Sequence, residues 1–216
     1  MKSNSAIKTV VFDLGKVLLD FDYGIAARKL SRRSRMEPGP LAHLLSQSEL
    51  IYRFETGRLS AREFFEEVRA AAGFSGSFEE FAECFSNIFT PIEPMVQLHE
   101  RLRREGFRTF VFSNTNELAA NHIRKTYPFF ADFDGYVLSF EHGVMKPDAR
   151  LYEVVERVTG CRGADLLYLD DRPENVAAGA ARGWQAVLQE KPETTLTALR
   201  RLGVLNQNGA AVGGAT

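Results

Sequence analysis

The chain is poor in the residues of thiol and imidazole chemistry. Its 216 residues include two cysteines, Cys84 and Cys161, and four histidines. The cysteines stand far apart with no Cys-x-x-Cys pattern, which argues against a zinc site or dithiol redox work and suits a reduced intracellular protein. Net charge is also nearly absent: 27 basic against 28 acidic residues leave −1. No global field therefore draws the chain to nucleic acid or to an anionic membrane. The short basic runs Arg32-Arg33, Arg101 to Arg104 and Arg200-Arg201 read as solvated helix faces. No stretch approaches the ~18 uninterrupted apolar residues of a membrane span. The first apolar run is broken by Asp13 and Lys16, with no small-residue cleavage pattern after it, so it is not read as a signal peptide. The expectations are a cytoplasmic location, no nucleic-acid or membrane partner, and a monomer or weak homodimer.

What is present is an ordinary globular composition, 44% hydrophobic and 25% charged. The length suits one medium domain plus an insertion. Residues 7–13 form a short, β-branched apolar run that reads as a buried strand. From Asp22 to Phe89 the period turns helical, with four or five short helices and no strand expected. Ser60 to Glu63 and Ser77 to Glu80 both have the spacing of a capping box. Pro38-Gly39-Pro40 and Gly73 to Gly76 read as breaks. Phe54, Phe64, Phe65, Phe78, Phe81 and Phe85 read as the core of this segment.

After Thr90 strands and helices alternate. Helices are expected over 95–105, 117–125, 148–159, 173–182 and 193–202, and strands over 107–112, 136–140, 166–169 and 185–188. Such alternation implies a parallel sheet covered on both faces, an α/β fold of Rossmann-like, three-layer form. The expected division is a core of residues 1–21 and 90–205, a helical cap of 22–89 inserted after the first strand, and a disordered tail of 206–216. Ligands of parallel sheets bind beyond the C-terminal strand ends, where the insertion would form a roof.

Polar groups gather at those strand ends. Asp13 closes Val10-Val11-Phe12, Ser113 follows Phe110-Val111-Phe112, and Asp170-Asp171 follow Leu166 to Leu169. Lys146 precedes Pro147, a residue able to open a helix at its first position. Adjacent carboxylates repel unless a cation or proton compensates. Three acids and a main-chain carbonyl suit a hard, oxygen-liganded ion such as Mg²⁺. Ser113 and the N–H groups of Asn114 and Thr115, before a helix, could cradle an anion.

The order strand–Asp, strand–Ser, Lys–Pro, strand–Asp-Asp resembles the four motifs of the haloacid dehalogenase superfamily over residues 7–190. The resemblance implies a phosphatase that acts through an aspartyl-phosphate on a small phosphorylated metabolite. Asp13 would be the nucleophile, with Ser113, Asn114 and Lys146 on the phosphoryl group. Mg²⁺ would be held by Asp13, the carbonyl of Gly15, and Asp171 with Asp170. Gly15 stands where the motif usually carries a second aspartate that serves as general acid. Asp20, Asp22 and His142 are candidates to replace it, unless the leaving group needs little protonation. Asp-Leu-Gly-x-Val together with Phe54-Glu55-x-Gly57-x-x-Ser60-x-x-Glu63-Phe64 is similar to bacterial α-glucose-1-phosphate phosphatases and to the N-terminal domain of soluble epoxide hydrolases. That implies a sugar phosphate such as glucose 1-phosphate. Tyr23, Arg53 and Glu55 are the cap residues expected to reach substrate. A non-catalytic phosphate or metal binder and a metal-independent 2-haloacid dehalogenase remain alternatives.

Overall fold

The computed structural model describes residues 7–206. The tail expected to be disordered lies, apart from Asn206, outside the described residues. The core elements are β1 (Thr9–Phe12), β2 (Leu19–Phe21), and, after five helices, β3 (Phe89–Pro91). The five are α1 (Tyr23–Ser31), α2 (Pro38–Gln47), α3 (Glu49–Glu55), α4 (Ala61–Ala72) and α5 (Phe78–Ser86). Then follow α6 (Glu93–Arg104), β4 (Arg108–Ser113), α7 (Glu117–Thr126), β5 (Gly135–Leu138) and α8 (Ser139–His142). The chain ends through α9 (Ala149–Thr159), β6 (Leu166–Asp170), α10 (Pro173–Ala181), β7 (Gln185–Leu188) and α11 (Pro192–Arg201). No helix among the described residues is long and apolar enough to cross a membrane.

The main sheet has the order β5-β4-β1-β6-β7, and every pairing is parallel. Its central strands are apolar on both faces because helices cover both. All four residues of β1 and all five of β6 are buried. One apolar cluster joins Phe12, Val111, Leu167 and Leu169 to α6 and α11; a second joins Val11, Phe112 and Tyr168 to α9. Since β1 lies between β4 and β6, the residues that end these three strands emerge side by side. This register places Asp13, Ser113 and Asp170 at one edge of the sheet.

Helices α1–α5 form the insertion and bury a cluster of their own. Phe54 stacks on Phe64 at 4.3 Å, and Phe81 on Phe85 at 5.6 Å. Phe65 contacts Phe78 edge-on at 5.6 Å. Ser60 and Glu63 form the reciprocal capping box. At Ser77 only half of that motif is made: its hydroxyl accepts the Glu80 N–H, while the Glu80 carboxylate pairs with Arg33 across the insertion. Pro38-Gly39-Pro40 opens α2 instead of breaking the chain, as proline lacks only an N–H that a first turn leaves unpaired. The antiparallel β2–β3 ribbon, at the junction of insertion and core, was not expected. Its strands have three residues each, too few to show a period. The strand expected over 136–140 stops at Leu138, where α8 begins.

Candidate active site

Asp13, Lys146 and Asp170 form one buried ionic cluster. The Lys146 Nζ lies 2.9 Å from Asp13 Oδ1 and 2.6 Å from Asp170 Oδ2, and donates to the Phe112 carbonyl at 2.9 Å. Lys146 is held there through its backbone. Its N–H donates to Asn114 Oδ1 at 2.7 Å, and its carbonyl accepts from Asn114 Nδ2 at 3.0 Å. The Asn114 amide is thereby consumed in orienting the lysine. The Lys146–Pro147 peptide is cis, and α9 starts at Ala149 with Asp148 as its cap. Pro147 therefore lies in a turn before the helix, not at its first position.

Asp170 has no accessible surface, and all four of its acceptor positions are filled. Oδ1 accepts from the Arg172 N–H at 2.9 Å and from Asn175 Nδ2 at 3.0 Å; Oδ2 accepts from Lys146 and the Tyr168 hydroxyl. It serves as the anchor of the lysine. Asp171 is half-buried, and its carboxylate with those of Asp13 and Asp170 lies within a 4.8 Å group. One ammonium cannot neutralise three carboxylates. Burial, opposed by Lys146 and aided by Asp170, pushes the Asp13 carboxyl up to about 7. Burial and the adjacent Asp170 also raise Asp171. Burial works against charge on Lys146, yet Asp13 and Asp170 outweigh it and keep the amine protonated. The cluster is short of positive charge.

The turn after Asp13 is tight. Leu14 N–H donates to Asp13 Oδ1 at 2.7 Å, and Lys16 takes a left-handed φ of 58°. Lys16 pairs with Asp20 and lies 4.8 Å over the Phe21 ring. A Cβ on Gly15 would fall 2.7 Å from Phe21 Cε1, so the aromatic ring fills the space that a side chain at 15 would need.

A cleft of about 650 Å³ opens above the cluster. Asp13, Gly15, Ser113, Asn114, Lys146 and Asp171 line it from the core, and Tyr23, Ser46, Gln47 and Glu55 from the insertion. Tyr23 and Glu55 therefore face the cleft as expected. Arg53 does not line it; its guanidinium pairs with Glu67 at 2.9 and 3.0 Å. The N–H of Thr115 donates to Ser139 Oγ at 2.9 Å and so is spent within the protein, not left to cradle an anion. Three residues with supporting roles escaped sequence reasoning. Tyr168 shares a face with Asp170 through the two-residue strand period, a signal that was available. Asn175 and Ser139 carried no local signal, because their partners lie on other elements.

A model of the haloacid dehalogenase-like hydrolases matches residues 7–183. The sesquiterpene phosphatase astK of Aspergillus oryzae is 25% identical over 201 residues, 92% of this chain and 97% of its own. The D-ribitol-5-phosphate phosphatase of Bacteroides thetaiotaomicron is 22% identical over 190 residues, 85% of this chain and 92% of its own. A haloacid dehalogenase family enzyme of the same bacterium, crystallised with magnesium and inorganic phosphate, superposes with a TM-score of 0.74 at 20% identity, covering 84% and 93% of the two chains. The L-2-haloacid dehalogenase of Xanthobacter autotrophicus shares the fold at a TM-score of 0.62 and 20% identity, covering 91% and 83%. With the family model spanning most of the chain and both its acid-bearing strand ends, this protein belongs to the haloacid dehalogenase-like hydrolases.

Proposed function

We propose that this protein is a Mg²⁺-dependent phosphatase of small phosphorylated metabolites that acts through an aspartyl-phosphate on Asp13. The observation that carries the reading is the charge deficit of the cluster, three carboxylates around one lysine. A divalent cation removes that deficit, and an all-oxygen donor set fits magnesium. Asp13, Asp171 and the Gly15 carbonyl would hold it, with Asp170 saturated by protein donors and steadying the arrangement through Lys146. When bound, the ion would offset the charge of the phosphoryl oxygens. Lys146 supplies the remaining positive charge, and Ser113, at 2% exposure, would turn its hydroxyl to the same group from its long 3.3 Å bond to the Asn114 carbonyl. Asn114 contributes by positioning Lys146. Asp13 Oδ attacks phosphorus, and water later cleaves the acyl-phosphate; the covalent route replaces one difficult displacement by two easier ones.

For substrate we propose a sugar or polyol phosphate, glucose 1-phosphate being the first to test. Ser46, Gln47, Tyr23 and Glu55 give the upper cleft hydroxyl-binding groups, and the relative from Bacteroides thetaiotaomicron is named for a polyol phosphate. Residues 22–89 act as the cap over a core of residues 1–21 and 90–205. The test is a phosphate-release screen over metabolite phosphates with and without Mg²⁺, on wild type and Asp13→Asn, beside a thermal-shift titration with Mg²⁺ alone. Release only with Mg²⁺ and only from wild type is expected. A melting temperature that Mg²⁺ raises in wild type but not in Asp171→Asn is also expected, since a ligand that binds only the native state stabilises it. No release from any compound, or halide release from a 2-haloacid without metal, overturns the reading.

A further inference from the structure

An alkoxide expelled from phosphorus needs a proton, and Gly15 cannot supply one. Among the described residues, four carboxyls line the cleft: Asp13, Asp22, Glu55 and Asp171. Asp13 and Asp171 belong to the ionic cluster. Asp22 caps α1 through the Gly24 N–H at 2.7 Å and pairs with Arg28 at 3.3 Å. The two other candidates from the sequence also drop out. Asp20 is tied to Lys16, whose hydrogen bond holds its carboxyl below the usual range, and exposed His142 does not line the cleft. Glu55 remains.

Glu55 is fixed to the core although it ends a helix of the insertion. Its carbonyl accepts from Ser139 Oγ at 2.6 Å, and the same hydroxyl accepts the Thr115 N–H, two residues past Ser113. Gly57, at φ 66°, lies so close to α8 that a Cβ there would sit 2.1 Å from the Phe140 carbonyl oxygen. The end of α3 is thus clamped against the β4 loop that carries Ser113. Beside the Glu55 carboxyl are the Tyr23 hydroxyl on α1 and the side chain of Asn116 at the start of α7. Asn116 is 1% exposed, and its Nδ2 lacks a protein partner in hydrogen-bond geometry. That buried amide is short of a well-aligned partner, and the adjacent Glu55 carboxylate or a group of the substrate can accept its N–H.

Resting on the phosphatase reading above, we propose that Glu55 protonates the departing oxygen of the substrate and then deprotonates the water that attacks the aspartyl-phosphate. In the first step the Asp13 Oδ–P bond forms as the bond from phosphorus to the substrate oxygen breaks, and the Glu55 proton passes to that oxygen, which leaves as a neutral alcohol. In the second, Glu55 carboxylate takes a proton from water as its oxygen bonds to phosphorus, the Asp13–phosphorus bond breaks, and inorganic phosphate departs. Both protonation states must be accessible near neutrality. Burial pushes the Glu55 carboxyl up to about 7, against the pull of Asn116 and the Arg172 guanidinium. Tyr23 faces it in the neutral form, since burial raises the phenol further from titration.

The test compares p-nitrophenyl phosphate, whose leaving group departs without a proton, with 2-phenylethyl phosphate, of similar size, with no hydroxyl to bind and an alkoxide to expel. Rates at low substrate, kcat/KM, report only the transfer to Asp13 and not the hydrolysis common to both esters; Glu55→Gln is expected to lower kcat/KM for the alkyl ester by ~10²-fold or more and for the aryl ester by less than about tenfold. The ratio of the two rates within one preparation does not depend on the fraction folded, so a partly unfolded variant still reports. A ratio equal to that of wild type overturns the proposal. Wild type that cleaves only the aryl ester overturns it too, and wild type that cleaves neither with Mg²⁺ rejects the phosphatase reading beneath it.

Discussion

The ring of Phe21 occupies the place of a side chain at Gly15: a Cβ built on Gly15 would lie 2.7 Å from Cε1 of Phe21. Phe21 is on β2, contacts Tyr23 edge-on at 5.8 Å, and has Lys16 over its face. The missing aspartate is therefore built into the turn and its aromatic lid. Gly15→Asp is expected to lower stability by about 1–3 kcal/mol, the usual cost of overpacking, and to give no gain in phosphate release. Adding Phe21→Ala should return part of the stability. Urea unfolding of the single and double variants checks both.

Among the described residues, Lys146 is the one cation at salt-bridge distance from Asp13 and Asp170. Lys146→Met leaves two buried carboxylates without their counter-ion, although neutral donors remain on both. A loss of about 3–5 kcal/mol is expected, together with loss of activity. Chemical denaturation at neutral pH measures it, and destabilisation under about 1 kcal/mol would contradict a buried, charged cluster.

Gly57→Ala meets both a left-handed backbone, φ 66°, and the Phe140 carbonyl at 2.1 Å. Relief requires the end of α3 to lift from α8. At least ~1 kcal/mol of stability should be lost. Because Glu55 is two residues away, turnover of an alkyl phosphate should fall with it. Limited proteolysis, read as faster cleavage between α3 and α4, reports the loosening.

His99 is buried on α6, stacked on Phe133 at 3.8 Å, with Nε2 3.2 Å from the Thr109 hydroxyl. Burial, aided by Arg103, holds its imidazole down at about 4, against an ordinary 6.5. Between these values the unfolded chain binds a proton that the folded chain refuses, so stability is intact above about 6.5 and falls as pH drops toward 4. The full difference amounts to about 3 kcal/mol. In His99→Phe, which keeps the stack, this contribution should vanish. The unfolding free energy of wild type minus that of the variant, followed from pH 7 to 4, should therefore fall with acid. A difference that stays constant would show that His99 does not titrate in this way.

Much of the sheet and of the cluster was legible in the chain because the signals are local. An apolar run with a carboxylate at its end, β-branched before Asp13 and leucine-rich before Asp170-Asp171, marks both within a few residues, and the strand Gln185–Leu188 follows the same local pattern. Gly106 and Gly183 marked helix ends and take left-handed φ of 88° and 81°. Where a residue had two roles open to it, local pattern could not choose. Glu80 has the spacing of a capping box but goes to Arg33, and Pro147 could start a helix but lies in the turn before it.

The sequence by itself determined an α/β fold with a helical insertion, and which polar residues end its central strands, since strand period, helix caps and chain order are properties of neighbouring residues. Only the tertiary structure decided how those residues share the work. It filled every acceptor of Asp170, spent the Asn114 amide on Lys146 and closed the space beside Gly15 with Phe21. It also brought the Glu55 carbonyl to Ser139, 84 residues away in the chain. Hydrogen bonds and close packing of this kind join elements distant in sequence, and no window of neighbouring residues contains both partners.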